Sequence, residues 1–162
     1  MIMATFTKLE KRPDPFNPSV EKWTVVEIVK VGNDTPANGG TLGENDMHID
    51  GENWCKNFFQ GGVWKQTSIG HGFRGRYAMI GGTYDYATDR FYPRQPFASW
   101  SLNANGDWEA PITYPTITTY DDNGADIPYN IFWNEEAQQW KSTDRNMPRN
   151  IFTWDSENLI WN

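Results

Sequence analysis

Two histidines (His48, His71), one cysteine (Cys55) and two groups of closely spaced aspartates are the side chains whose types suit catalysis or metal binding. A nucleophilic hydrolase needs a Ser, Cys or Thr held beside a base that a third group orients. Neither histidine stands in such a constellation, and Cys55, beside Trp54 on a predicted helix, reads as a packed small residue. Asp85 with Asp89, and Asp121 with Asp122 and Asp126, offer acid and base pairs or oxygen ligands for a cation. Their spacing is unspecific: DDNGAD lacks the full loop and terminal glutamate of a helix-loop-helix calcium site and reads as a solvated turn. The pairs Gly39-Gly40, Gly61-Gly62 and Gly81-Gly82 match no phosphate-cradling pattern and read as turns. The residues therefore assign no catalytic group, no metal ligand and no cofactor. The segment GHGFRGRY sets Arg74 and Arg76 beside Phe73 and Tyr77, which suits an anionic partner, but solvated arginines at a strand end are the better reading.

The aromatic residues offer contact in place of reaction. FWNEEAQQW ends on Trp140, seven positions after Trp133, and FTWDSENLIW ends on Trp161, seven after Trp154. Residues that face each other in an antiparallel hairpin lie an odd number of positions apart when the loop length is even, and they share a face. Trp133 then pairs with Trp140 across a loop of Glu135 to Gln138, with Asn134 and Gln139 beside the turn, and Trp154 pairs with Trp161 in the same way. Tyr84 and Phe91 repeat the interval. Leu102 and Trp108 shorten it to six, leaving Ala104, Asn105 and Gly106 as the loop, with glycine where a positive φ is required. Asn134, Asp155, Asp85 and Asn103 each follow the first residue of their pair and can hydrogen-bond the backbone entering the turn. An isolated hairpin is marginal, so these need a neighbour to lie against.

The elements that position these rings are short. Fourteen Gly and 10 Pro leave little room for long helices. WTVVEIVKV (Trp23 to Val31) sets Val25, Val29 and Val31 on one face and Val26 and Ile28 on the other, as in a central, covered strand. GENWCKNFFQGG predicts one short helix near 51–60, stopped by Gly61 and Gly62. Thereafter VWKQTS, RYAMIGGTYDY and RFYP read as strands, and Pro93, Pro96, Pro111 and Pro115 mark loops. TYDDNGADIP is the most loop-like stretch and a candidate hinge. The expected fold is mainly β with one short α-helix, built of short antiparallel strands and aromatic hairpins. It divides into a main β-rich region over 1–118 and an aromatic hairpin region over 119–162.

A net charge of -7 repels phosphate backbones and anionic lipid alike, which disfavours nucleic acid and membrane as partners. One cysteine precludes an internal disulfide and fits synthesis in a reducing cytoplasm. The N-terminal MIMATFTKLEKRPDPF has no sustained apolar stretch and reads as neither a signal peptide nor a membrane span.

ENWCKNFFQGGVWKQTS (Glu52 to Ser68), FRGRYAMIGGTYDYATDRFYPRQPFASWSLNANGDWEAP (Phe73 to Pro111) and the closing W-N-E-x4-W and W-D-x5-W phrases resemble a group of small proteins of tailed phages. These phages infect marine bacteria and include cyanophages, and the proteins are described as hypothetical or virion structural. Trp64 to Ser68 is the most specific run; GGTYDY stands where that group tends toward GYTYD, and two W-to-W phrases stand where one is usual. The resemblance implies a virion component present in multiple copies and no reaction. Capsid decoration is the leading role, with tail, neck or fibre association as the alternative. In that role Trp133, Trp140, Trp154, Trp161, Trp108 and Trp100 face outward and bind other virion proteins. Flat rings also stack on sugars, so host-glycan binding is a further alternative, although cell-wall binding modules repeat such phrases nearly end to end and this chain does not.

Overall fold

The computed structural model describes residues 3–44 and 47–162, and its contacts divide the chain into two compact units, Met1–Gln95 and Pro96–Asn162. The fold is mainly β and antiparallel, with one short α-helix. The division falls after Gln95, where the sequence places it at 118. Residues 96–118 belong with the C-terminal strands because Phe97, Trp100, Ala110 and Ile112 pack on the tryptophans there. No helix among the described residues is long and apolar enough to cross a membrane.

In the first unit β1 (Met3–Pro13) pairs along its length with β2 (Glu21–Gly32). A small hairpin of β3 (Pro36–Ala37) and β4 (Gly40–Thr41) follows. After the helix α1 (Glu52–Phe58) come β5 (Val63–Thr67), β6 (Thr83–Asp85) and β7 (Arg90–Tyr92), and the sheet order is β5-β1-β2-β6-β7. β2 is central, as its composition requires, but its faces differ from simple alternation. Lys8 faces Glu27 and Leu9 faces Val25, so Val26 is an extra, bulged residue that switches the facing of the strand. Val31 therefore lies in one core with Ala4, Phe6, Leu42, Cys55 and Trp64, with Val29 packed against it. Val25 lies in another with Leu9, Ala78, Tyr84 and Phe91. β1, whose sequence shows no sustained apolar stretch, borders both, and its polar residues Thr5 and Thr7 are buried.

α1 buries Cys55 and leaves Phe58 exposed. It stops where Gln60 takes a φ of 57° and the Gly61 N–H donates to the Lys56 carbonyl at 2.7 Å. The left-handed stop thus begins one residue before the glycines. RYAMIGGTYDY yields only the three residues of β6 as strand.

In the second unit the hairpin β8 (Ser101–Leu102) and β9 (Trp108–Glu109) is followed by β10 (Thr119–Asp122) and β11 (Ala125–Pro128). A four-stranded sheet ends the chain: β12 (Asn130–Asn134), β13 (Gln139–Thr143), β14 (Ile151–Asp155) and β15 (Ile160–Trp161). All four predicted pairings hold in register: Trp133 with Trp140, Trp154 with Trp161, Tyr84 with Phe91, and Leu102 with Trp108. The caps hold too. Asn134 Oδ1 accepts the Ala137 N–H at 2.7 Å, Asp155 Oδ1 accepts Glu157 and Asn158 at 3.0 Å, Asp85 Oδ1 accepts Ala87 at 2.9 Å, and Asn103 Oδ1 accepts Asn105 at 2.9 Å. Gly106 has a φ of 82°.

TYDDNGADIP is no hinge. Asp122 pairs with Ala125 across Asn123 and Gly124, both at positive φ, a tight turn whose twist suits antiparallel strands.

The three four-residue loops each end on a non-glycine residue in the left-handed region: Asp89 (φ 49°), Gln138 (φ 48°) and Leu159 (φ 56°). A residue with a Cβ is strained there by about 1 kcal/mol, and Leu159 is half exposed, so its side chain returns little in packing. Replacing Leu159 with Gly is expected to raise unfolding stability by about 0.5–1 kcal/mol in urea titration.

Candidate aromatic binding cleft

The six tryptophans assigned to partner contact divide into two sets. Trp133, Trp140 and Trp154 are 6%, 7% and 4% exposed and form the core of the second unit, which corrects their assignment as outward-facing anchors. The physical reason is that a small sheet must bury one face, and alternation puts Trp133, Trp140, Ser142 and Trp154 on the same one. Trp161 is half-buried against Trp154, with ring centroids 5.1 Å apart. Trp100 and Trp108 are half-buried and lie on the segment that covers the sheet.

That segment, 96–118, is tied down through indole N–H groups. Trp140 Nε1 donates to the Ile112 carbonyl at 2.9 Å, and Trp161 Nε1 donates to the Ile117 carbonyl at 2.8 Å. Trp133 Nε1 donates to Glu135 Oε2 at 2.8 Å, and the same carboxylate accepts the Ser99 N–H at 2.8 Å and the Ser99 hydroxyl at 2.6 Å. The neighbour that the hairpins need is thus the proline-bearing stretch of their own chain. A buried N–H left without an acceptor costs about 1–3 kcal/mol, roughly twice what an aromatic pair contributes beyond its area.

Between segment and sheet opens a cleft of about 310 Å³, lined by Trp100, Trp108, Glu109, Ala110, Ile112, Thr113, Tyr114 and Trp140. Three predicted contact residues, Trp100, Trp108 and Trp140, meet here, while Trp133, Trp154 and Trp161 do not line it. Trp140 is met edge to face by Trp100, with centroids 5.9 Å apart, and by Tyr114 at 4.9 Å. Glu109 Oε1 accepts the Asn103 Nδ2 hydrogen at 2.6 Å, which fixes the carboxylate at the rim. Tyr114 and Glu109 also line the cleft, although neither stands out in the sequence. The available signal was EAPITYP, in which two prolines bracket an aromatic residue that ends 56% exposed.

The other candidates have structural occupations. Arg74, read as solvated or anion-binding, is buried: its Nη1 donates to Glu52 Oε1 at 2.6 Å and to the Gln66 carbonyl at 3.0 Å, and its Nε donates to Asp89 Oδ1 at 2.9 Å. Lys65 Nζ lies 3.0 Å from Glu52 Oε2, and the Tyr84 hydroxyl donates to Asp89. Burial, together with that bond, pushes the Tyr84 phenol above its ordinary range. This network joins α1, β5 and the β6–β7 hairpin; removing one partner of a buried ion pair typically costs about 3–5 kcal/mol. Asp85 is committed to its turn. Cys55 is fully buried, and burial followed by the Glu52 charge pushes its thiol up to about 12. His71 Nδ1 accepts the Tyr77 N–H at 3.2 Å, and His48 stands edge to face on Phe73. Among the described residues no three His, Cys, Asp or Glu side chains are grouped to hold a metal ion.

Two consequences are measurable. Replacing Trp140 with Phe removes the donor to Ile112 and the pyrrole half of a buried ring, and a loss of about 2–4 kcal/mol is expected in denaturant unfolding. The Glu135 carboxyl is held below its ordinary range by the Ser99 hydroxyl and then the Trp133 indole. Its contribution is therefore full above the ordinary carboxylate pKa of about 4.3 and is lost as pH falls through the lower folded value. Glu135→Gln is expected to flatten the acid dependence of the second unit's stability in that window, read from its NMR signals.

The chain matches no protein-family model, no curated protein and no solved structure.

Proposed function

We propose that this chain is a non-enzymatic accessory protein of a tailed-phage particle, bound to the capsid in many copies, with the tail, neck or fibre as the alternative place. The observation that carries this reading is the ring stack on α1. Trp54 stacks on Phe58 at 4.7 Å, Phe58 meets Phe59 edge to face at 5.0 Å, and Phe59 stacks on Trp64 at 4.7 Å. Phe58 is 64% exposed and Phe59 39%, so two phenyl rings stand in water, held stiffly by their neighbours. Ordered aromatic rings at a surface are the usual anchors of protein contacts, because little side-chain entropy is lost when they bind.

The residues that carry the phage resemblance support the reading in another way. Trp64, Gln66 and Thr67 are buried, Lys65 pairs with Glu52, and the Thr67 hydroxyl accepts the Ala78 N–H at 2.8 Å. These residues build the framework of the first unit. An acidic chain of net charge -7 also suits an exterior position better than one against packaged DNA.

Quantitative mass spectrometry of purified particles tests the proposal. Capsid decoration predicts copies on the order of hundreds, whereas a small multiple of the tail symmetry places the chain on the tail. Phe58→Ala combined with Phe59→Ser is expected to lower occupancy while the isolated protein stays folded. Absence of the chain from purified particles contradicts the proposal.

A further inference from the structure

We propose that the cleft of the second unit binds one ring of a neutral saccharide, with Tyr114 and Trp108 as stacking surfaces and Glu109 as the polar contact. The size fits: about 310 Å³ lies at the lower end of small-ligand sites and is too small for a helix or a protein loop. The shape fits as well. Trp100 and Tyr114 each meet the buried Trp140 edge to face, so nothing enters between these rings, and the exposed Tyr114 and half-buried Trp108 line the cleft beside them. A methylated ammonium calls for a box of ring faces around the cation. A sugar needs a flat, electron-rich face for its C–H side and polar groups at the edge for its hydroxyls.

The edge is supplied. Glu109 keeps its second carboxylate oxygen for a ligand while Asn103 holds the first, and the exposed Thr113 adds a hydroxyl that can donate or accept. A carboxylate at the rim of a chain with net charge -7 disfavours uronates, sulfated sugars and other anionic glycans, which narrows the class to neutral rings. The floor is preorganised: the Trp140 N–H is committed to Ile112, so the rings lose little freedom when a sugar arrives. Glu109 is the one carboxylate among the lining residues, whereas hydrolysis of a glycosidic bond generally takes two, so the site holds a sugar without cutting it.

The proposal concerns the isolated chain and stands apart from its place on a particle. The test is intrinsic fluorescence and NMR titration of the full chain with short neutral oligosaccharides derived from cellulose, starch, xylan and chitin. Choline chloride and a proline-rich peptide are titrated beside them. A saturable response to at least one saccharide at about millimolar concentration is expected, weakened about tenfold or more by Tyr114→Ala and by Trp108→Ala, and less by Glu109→Gln. Tyr114 is exposed, so its variant keeps the fold and separates binding from stability. The proposal is overturned if no saccharide responds up to about 10 mM. It is equally overturned if choline or the peptide binds in the saccharide's place, or if a saccharide binds the Tyr114→Ala and Trp108→Ala variants unchanged.

Discussion

An indole ring is large enough to close a small core, but its N–H must find an acceptor once water is gone. The second unit is organised by that condition. Its sheet turns Trp133, Trp140 and Trp154 to one side, and the segment 96–118 supplies both the cover and the acceptors for the Trp140 and Trp161 nitrogens. Trp133 donates to Glu135, the carboxylate that Ser99 of the segment also binds. Carbonyls without a ladder partner, as at Ile112 and Ile117, are available because residues 110–118 form no strand. Ring burial and the tethering of 96–118 are therefore one event, and the cleft is the gap the tethered segment leaves beside Trp140.

The first unit meets its needs differently. One bulge at Val26 lets a single long strand contribute to a core on each face of the sheet. A buried arginine, Arg74, ties helix, strand and hairpin together through Glu52 and Asp89. That charge looks exposed in the sequence because arginines usually are. What reverses the expectation is the presence of two carboxylates and a carbonyl within reach, which lie far apart in the chain.

The hairpins were legible because their signals are local. Pair spacing, loop length, the capping Asn or Asp and the glycine at position 106 each constrain the same few residues and agree with one another. Asn123-Gly124 carries an equally local signal, masked by its acidic neighbours. Long-range facts were not legible. Parity shows that Trp133 and Trp140 share a face, but which face is covered depends on a segment without periodicity. The facing of Val25 depends on a bulge that spacing does not reveal, and β1 was hidden by the buried threonines Thr5 and Thr7. The cleft was half legible: its tryptophans stood out by type, whereas Tyr114 and Glu109 enter through tertiary placement.

The direct measurement is hydrogen exchange at the indole nitrogens, resolved by NMR for each tryptophan. The account predicts that Trp140 Nε1–H exchanges slowly, in step with the backbone amides of β13, because opening its bond to the Ile112 carbonyl requires the segment 96–118 to leave the sheet. Exchange at the rate of a free indole, while those strand amides stay protected, would show that the rings are held without the segment and would contradict the account.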